Sequence, residues 1–178
     1  MAEVTIERLQ ELDPETVQGL ADVLIDCTIG GASVGFMNPL DRAQAEAFWQ
    51  AQADDIASGA RAVCVARRDG RVVGTGQLVL APMPNQPHRA DIAKMLVLRS
   101  ERGRGIGGAV LAAVEAEARA RGRDVLVLDT ASDDARRLYE RNGWVRVGDV
   151  PDFALWPDGG RVATTFYYKL LSADETAL

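Results

Sequence analysis

The chain has 178 residues, 47% apolar and 26% charged, which fits one domain spanning residues 1–178 around a single core. Its net charge of −6 disfavours nucleic-acid binding, which rests on clustered positive charge. No apolar run nears the roughly 20 residues that span a bilayer, and MAEVTIERLQ is no secretory signal, so no membrane partner and a cytoplasmic location are expected.

Val4 to Leu9 alternates apolar and polar and predicts a first strand. Pro14 and Glu15 open a helix whose Val17, Leu20, Val23, Leu24 and Cys27 share one face. The segment Gly30 to Pro39 breaks it, yet Val34, Phe36 and Met37 are apolar, as in a loop that lines a pocket or covers the core. Asp41 can cap a second helix running to about Ser58. Ala62–Arg67 and Val72–Leu80 read as strands joined by an Asp-Gly hairpin, and Gly74 and Gly76 suggest a bulge or a close backbone approach. A Pro-rich loop precedes a strand from Ala90 to Leu98. A glycine-rich turn then opens a helix from about Gly105 to Arg121. Val125–Leu128 is a short apolar strand, Ser132 or Asp133 can cap a helix to about Asn142, and Trp144–Val150 and Thr164–Leu170 complete the sheet. This order gives a mixed α/β sandwich.

Cys27 and Cys64 lie in apolar surroundings and read as buried free thiols. His88 is the single histidine and sits in the Pro-rich loop, so a His/Cys zinc site is not available and no metal is expected.

Leu98-Arg-Ser-Glu-Arg102-Gly-Arg-Gly-Ile-Gly-Gly108 leaves a strand and enters a helix. Unpaired N–H groups and the positive end of the helix dipole favour an anion there. Glycines let the backbone wrap it, and Arg102 and Arg104 add charge. The bland alternative is a tight turn that binds nothing. No Gly-Lys-Ser/Thr follows, so this is not a Walker A loop. Gly103, Gly105 and Gly108 do satisfy the dinucleotide pattern, with Asp129 where a ribose-binding acid belongs. Against that reading stand the polar lead-in after Leu98, the single strand–helix pair that follows, and the antiparallel character upstream.

Strand, Arg102-x-x-Gly105-x-Gly107, helix resembles the acetyl-CoA loop of the GNAT acetyltransferases. Ser132-x-x-Ala135-x-x-x-Tyr139-x-x-x-Gly143-Trp144 is similar to that family's second block, with Ser for Asn and Trp for Phe. The resemblance implies a three-layer α/β (α+β) sandwich of about seven mostly antiparallel strands with a parallel central pair and about four helices. It implies acetyl-CoA as co-substrate, held by Leu96, Val97, Leu98, Arg102, Gly103, Arg104, Gly105, Ile106, Gly107, Ser132 and Tyr139. Gly30–Met37, Lys94–Leu98, Leu128–Thr130, Arg146–Gly148 and Pro157–Gly159 look like the tabtoxin-resistance acetyltransferases, which acetylate a β-lactam amino-acid toxin.

Acetyl transfer from a thioester needs a base for the acceptor, a donor for the oxyanion and a proton for the thiolate. By resemblance Tyr139 supplies that proton, and the Val97 N–H serves the carbonyl oxygen. Asp91 and Asp129 are the candidate bases, matching carboxylates proposed for that role in the tabtoxin-resistance enzymes, although Asp91 replaces a longer Glu. Asp91 stands six residues before Val97 on the same strand, so it shares its face. Phe36, Met37 and Trp49 are candidate acceptor-pocket residues. Neither block holds a Cys or Ser placed to carry the acyl group, which favours direct transfer in a ternary complex. The acceptor reads as an amine or hydroxyl of a small amino-acid-like toxin, antibiotic or metabolite. A peptide amine and a non-catalytic acyl-CoA sensor stay open, as does the choice between monomer and homodimer.

Overall fold

The computed structural model describes residues 3–171, so the two ends of the expected 1–178 domain lie outside the described residues. The chain opens with β1 (Val4–Arg8) and α1 (Pro14–Ile29). Asp13 caps α1 by accepting from the Thr16 N–H at 2.9 Å, and Pro14 occupies a first-turn position that needs no donor. Next come α2 (Arg42–Gln50) and α3 (Ala53–Ser58). Asp41 and Gln44 form a reciprocal capping box at the start of α2. The single helix expected from Asp41 to Ser58 is thus two. At the break Gln52 is buried, its amide donating to Phe48 O at 3.3 Å and its Oε1 accepting from Gln77 Nε2 at 2.7 Å. Satisfying those buried polar groups outweighs one more helical turn.

The strands β2 (Arg61–Arg68) and β3 (Arg71–Leu80) form the expected hairpin. Asp69 and Gly70 both have positive φ, 50° and 78°, as a tight two-residue hairpin turn requires. The chain continues through β4 (Arg89–Val97), a 3₁₀ turn (Arg99–Glu101), α4 (Ile106–Ala120), β5 (Val125–Thr130), α5 (Asp133–Arg141), β6 (Val145–Leu155) and β7 (Arg161–Leu170). One seven-stranded sheet runs in the order β1-β2-β3-β4-β5-β7-β6, and only β4–β5 is parallel.

Helices cover both faces. On one, Gly19 of α1 comes so near β3 that a Cβ there would stand 3.0 Å from Val72. On the other, a Cβ on Gly76 would meet Val110 of α4 at 2.8 Å and Met95 at 2.5 Å. Gly76 is therefore the price of close helix–sheet packing, which bears out the close approach expected from its place in the strand. The core fills both layers, with Leu20, Leu24, Val110, Leu111 and Leu126 at most 1% exposed.

Two irregularities open the sheet at its centre. The pairing of β4 with β5 ends after Asp91↔Val127. Beyond it the strands splay. In the β3–β4 pair, Gln77↔Ala93 is followed by Thr75↔Leu96, so β4 carries one extra residue there. The bulge reverses face parity along β4. Asp91 and Ala93 share a face with Leu96, while Val97 turns to the α4 side.

Candidate active site

The splayed strands border a cavity of about 1040 Å³. One wall is the turn before α4. Gly103 and Gly105 have φ of 74° and 78°, which a side chain would adopt only with strain. The first helical bond of α4 runs from Ala109 N to Gly105 O, so earlier N–H groups lack helical partners. Gly107 lies beside Leu138 of α5, which a Cβ would reach at 3.4 Å. Such an arrangement suits an anion approaching at backbone level.

The lead-in is fixed from behind. The Arg99 backbone N–H donates to Asp26 at 2.8 Å and its guanidinium pairs with the same carboxylate at 2.9 Å, tying the turn to the end of α1. Arg102 folds inward, donating to Val97 O at 3.2 Å and approaching Cys27 Sγ at 3.6 Å. Leu98 N–H donates to Val73 O at 2.9 Å, so Leu98 bonds toward β3. Alternation then turns the N–H and C=O of Val97 away from β3 and into the opening.

On the opposite wall, Ser132 caps α5 by accepting from the Ala135 N–H at 3.3 Å. One turn on, Tyr139 is 4% exposed and packs on Trp144 and Tyr167 at 5.8 and 6.1 Å between ring centroids. It lines the cavity, and its hydroxyl has no hydrogen-bond partner among the described residues. Burial, and then the negative charge of Asp129, push its phenol well above the ordinary value, so it stays protonated. Trp144 Nε1 donates to Glu115 of α4 at 2.9 Å, and Lys169 Nζ pairs with the other oxygen at 2.7 Å. That trio gives the Trp its own anchor and joins α4 to the end of α5.

Asp129, next to the last residue of β5, lines the cavity and accepts from Thr164 Oγ1 at 2.6 Å. By register it shares the face of Val127 and Asp91, the side covered by α1 and α2. Residues 30–35 close that side. Ser33 Oγ donates to Leu155 O at 3.1 Å and the Asn38 N–H to Pro157 O at 2.9 Å, which stitches the loop to the β6–β7 turn.

The pattern of the Acetyltransferase (GNAT) family matches residues 30–144. The chain belongs to the GNAT acetyltransferases. It shares 32% identity over 139 residues with an uncharacterized N-acetyltransferase of Azospirillum brasilense, covering 77% of this chain and 81% of that one. An N-acetyltransferase of Staphylococcus aureus Mu50 superimposes with a TM-score of 0.80 at 18% identity, over 96% of this chain and all 100% of the other. The yncA acetyltransferase of Salmonella typhimurium, solved with acetyl-CoA, gives 0.75 at 20% identity over 98% and 96%. Both have the same fold. As a GNAT protein the chain is an acyltransferase that uses acetyl-CoA, and the free amides of the α4 turn, the Gly107 gap and the β4–β5 opening suit such a ligand.

Of the sequence-derived GNAT residues, Leu96, Val97, Arg102, Gly103 and Gly105 line the cavity, as do Ile106, Gly107, Ser132, Tyr139 and Asp129. Others stand apart. Leu98 is in the core, and Arg104 is outside the lining and pairs with Glu101 at 3.6 Å. Asp91 is outside the lining, paired with Arg89 at 2.6 Å and 44% exposed. The bulge also overturns the expectation that it shares the face of Val97. Trp49 is fully buried in the core, Phe36 packs edge-on against Phe48 at 5.1 Å, and Met37 is 46% exposed; none of the three lines the cavity. Residues 30–35, Lys94, Thr164 and the β6 residues Phe153 and Ala154 line the cavity as well. Lys94 does have a sequence signal, a charge inside the apolar run Ile92 to Leu98. Nothing local marks Thr164 or Phe153, which reach the cavity through sheet order alone.

Proposed function

We propose that this GNAT enzyme transfers the acetyl group directly to the amine of a small, amino-acid-like acceptor. The observation that carries this reading is the placing of Asp129 and Tyr139 on one cavity at the mouth of the β4–β5 opening. Asp129 takes the acceptor's proton, held in place by the Thr164 hydroxyl. The Val97 N–H donates to the acetyl carbonyl oxygen. Tyr139, kept protonated by burial, donates to the leaving sulfur. Acetyl-CoA supplies the activated thioester. Asp91 has no part in this scheme, because Arg89 holds it outside the cavity.

The stitched 30–38 loop supports a compact acceptor over a peptide, which would need an open groove. The likeness of residues 30–37 and 128–130 to the tabtoxin-resistance enzymes supports the same class.

The test is thiol release from acetyl-CoA over free amino acids, β-lactam amino acids, aminoglycosides, polyamines and peptides with free N-termini. Small amines should react, with intersecting initial-velocity lines. Transfer to peptides alone, or parallel lines with an isolable acetyl-protein, would overturn the reading.

A further inference from the structure

Lys94 lines the cavity and has no task in that scheme. Its backbone has φ 51°, a left-handed conformation that a side-chain-bearing residue adopts only under constraint. It occupies the extra position of the β4 bulge, between Ala93 and Leu96. Bulges re-aim side chains. Here the ammonium lies 5.3 Å from the ring centroid of Phe48 on α2. Gly35 of the loop lies beside it, since a Cβ there would stand in van der Waals contact with Nζ at 3.9 Å. Phe48 and Gly35 put Lys94 on the α1–α2 side of the sheet, the side to which Asp129 also points.

The ammonium is poorly compensated. Among the described residues it has no hydrogen bond and no ion pair. The Phe48 ring attracts it without neutralising it. Burial, then the charge of Arg61, lowers its pKa, and Asp129 only partly opposes this. Arg61 is already engaged, with Gln77 Oε1 at 2.6 Å and Asp55 at 3.4 Å. A desolvated cation beside a second cation, lacking a carboxylate in contact, is unfavourable until an anion joins it.

We propose that Lys94 binds a carboxylate of the acceptor, so that the acceptors are amines that also carry an acid group, amino acids among them. The proposal rests on the reading that Asp129 faces the amine. The acceptor is then held at two points, nitrogen toward Asp129 and carboxylate toward Lys94. Lys94 does not touch the reacting atoms; it sets specificity and orientation.

The test compares free amino acids with their C-terminal amides, in wild type, Lys94→Gln and Lys94→Arg, by thiol release. Wild type should favour the acid over the amide by about tenfold or more in kcat/KM, the scale of one charge-assisted contact. Lys94→Gln should erase that preference through the amino-acid KM and leave the amide kinetics and the acetyl-CoA KM within about twofold. Lys94→Arg should keep part of it. Equal use of acids and amides by wild type overturns the proposal, as does an equal loss on both in Lys94→Gln. Calorimetric titration of the same amino acids into CoA-loaded protein separates it from the transfer scheme. Binding that Lys94→Gln abolishes supports the anchor even where no acetyl transfer occurs. Absence of amino-acid binding by wild type, with carboxylate-free amines turned over, overturns the anchor and leaves the transfer scheme standing.

Discussion

The hydroxyl of Thr164 donates to Asp129 Oδ2 at 2.6 Å, across the β5–β7 seam and at the edge of the cavity. The bond occupies one carboxylate oxygen and orients the other. Thr164→Val removes it while nearly keeping the volume. The expected result is a fall in kcat of about 3–30-fold, since a loosened base is a poorer one, with the acetyl-CoA KM unchanged. Steady-state kinetics measure this, and an unaltered kcat would show that the bond has no part in orienting the base.

Tyr139 should act as a proton donor over a wide pH range. Burial and Asp129 raise its pKa, so the protonated phenol persists well above neutrality. The wild-type kcat should therefore show no alkaline decline from this group up to about pH 9.5, near the ordinary tyrosine range. Tyr139→Phe should lower kcat by about 10–100-fold at every pH in that range. Full activity in the Phe variant would remove the acid role.

Two glycines should fail in opposite ways. A Cβ on Gly76 would stand 2.5 Å from Met95 Sδ and 2.8 Å from Val110, both within the packed layers. Gly76→Ala should destabilise by about 1–3 kcal/mol, the range for overpacking. Gly107 sits in the first turn of α4, and a Cβ there meets Leu138 at 3.4 Å and Val97 at 3.9 Å, neither of them a clash. Gly107→Ala should leave Tm unchanged or slightly raised, because Ala favours helix. It should still raise the acetyl-CoA KM by crowding the turn. Urea melts and KM values read the contrast.

Cys64 gives a stability signature at alkaline pH. Burial first, then Glu117, pushes its thiol from 9.0 up to about 11. The unfolded chain ionises first, so this contribution is whole below pH 9 and declines as pH rises toward 11. The slope is at most about 1.4 kcal/mol per pH unit. Cys64→Ala should lose less stability than wild type between pH 8 and 10.5 in urea melts, and an identical decline would contradict the assignment.

The glycine turn before α4 and the start of α5 were legible in the sequence because their signals are local. Gly103 and Gly105 announce positive φ, Ser132 announces a cap, and both do what those residue types favour. The sheet centre was not legible. Counting in twos from Asp91 to Val97 assumes an unbroken strand, and the bulge at Lys94 cancels that count. Bulges depend on what the neighbouring strand offers, which no local pattern records. Trp49 failed for a related reason: a large apolar side chain on a short helix serves core or pocket equally well, and tertiary packing put it in the core. The fold class came through intact, since strand and helix order with a parallel central pair survives one split helix.

In the proposed transfer Asp129 receives the proton when acetyl passes to the acceptor. Asp129→Asn tests it with the least disturbance, because the amide keeps the size and can still meet the Thr164 hydroxyl. Thiol release with the best acceptor, at saturating acetyl-CoA, should fall by about 10²–10⁴-fold in kcat, while the acetyl-CoA KM stays within about twofold. An Asn variant that releases thiol at the wild-type rate would contradict the account.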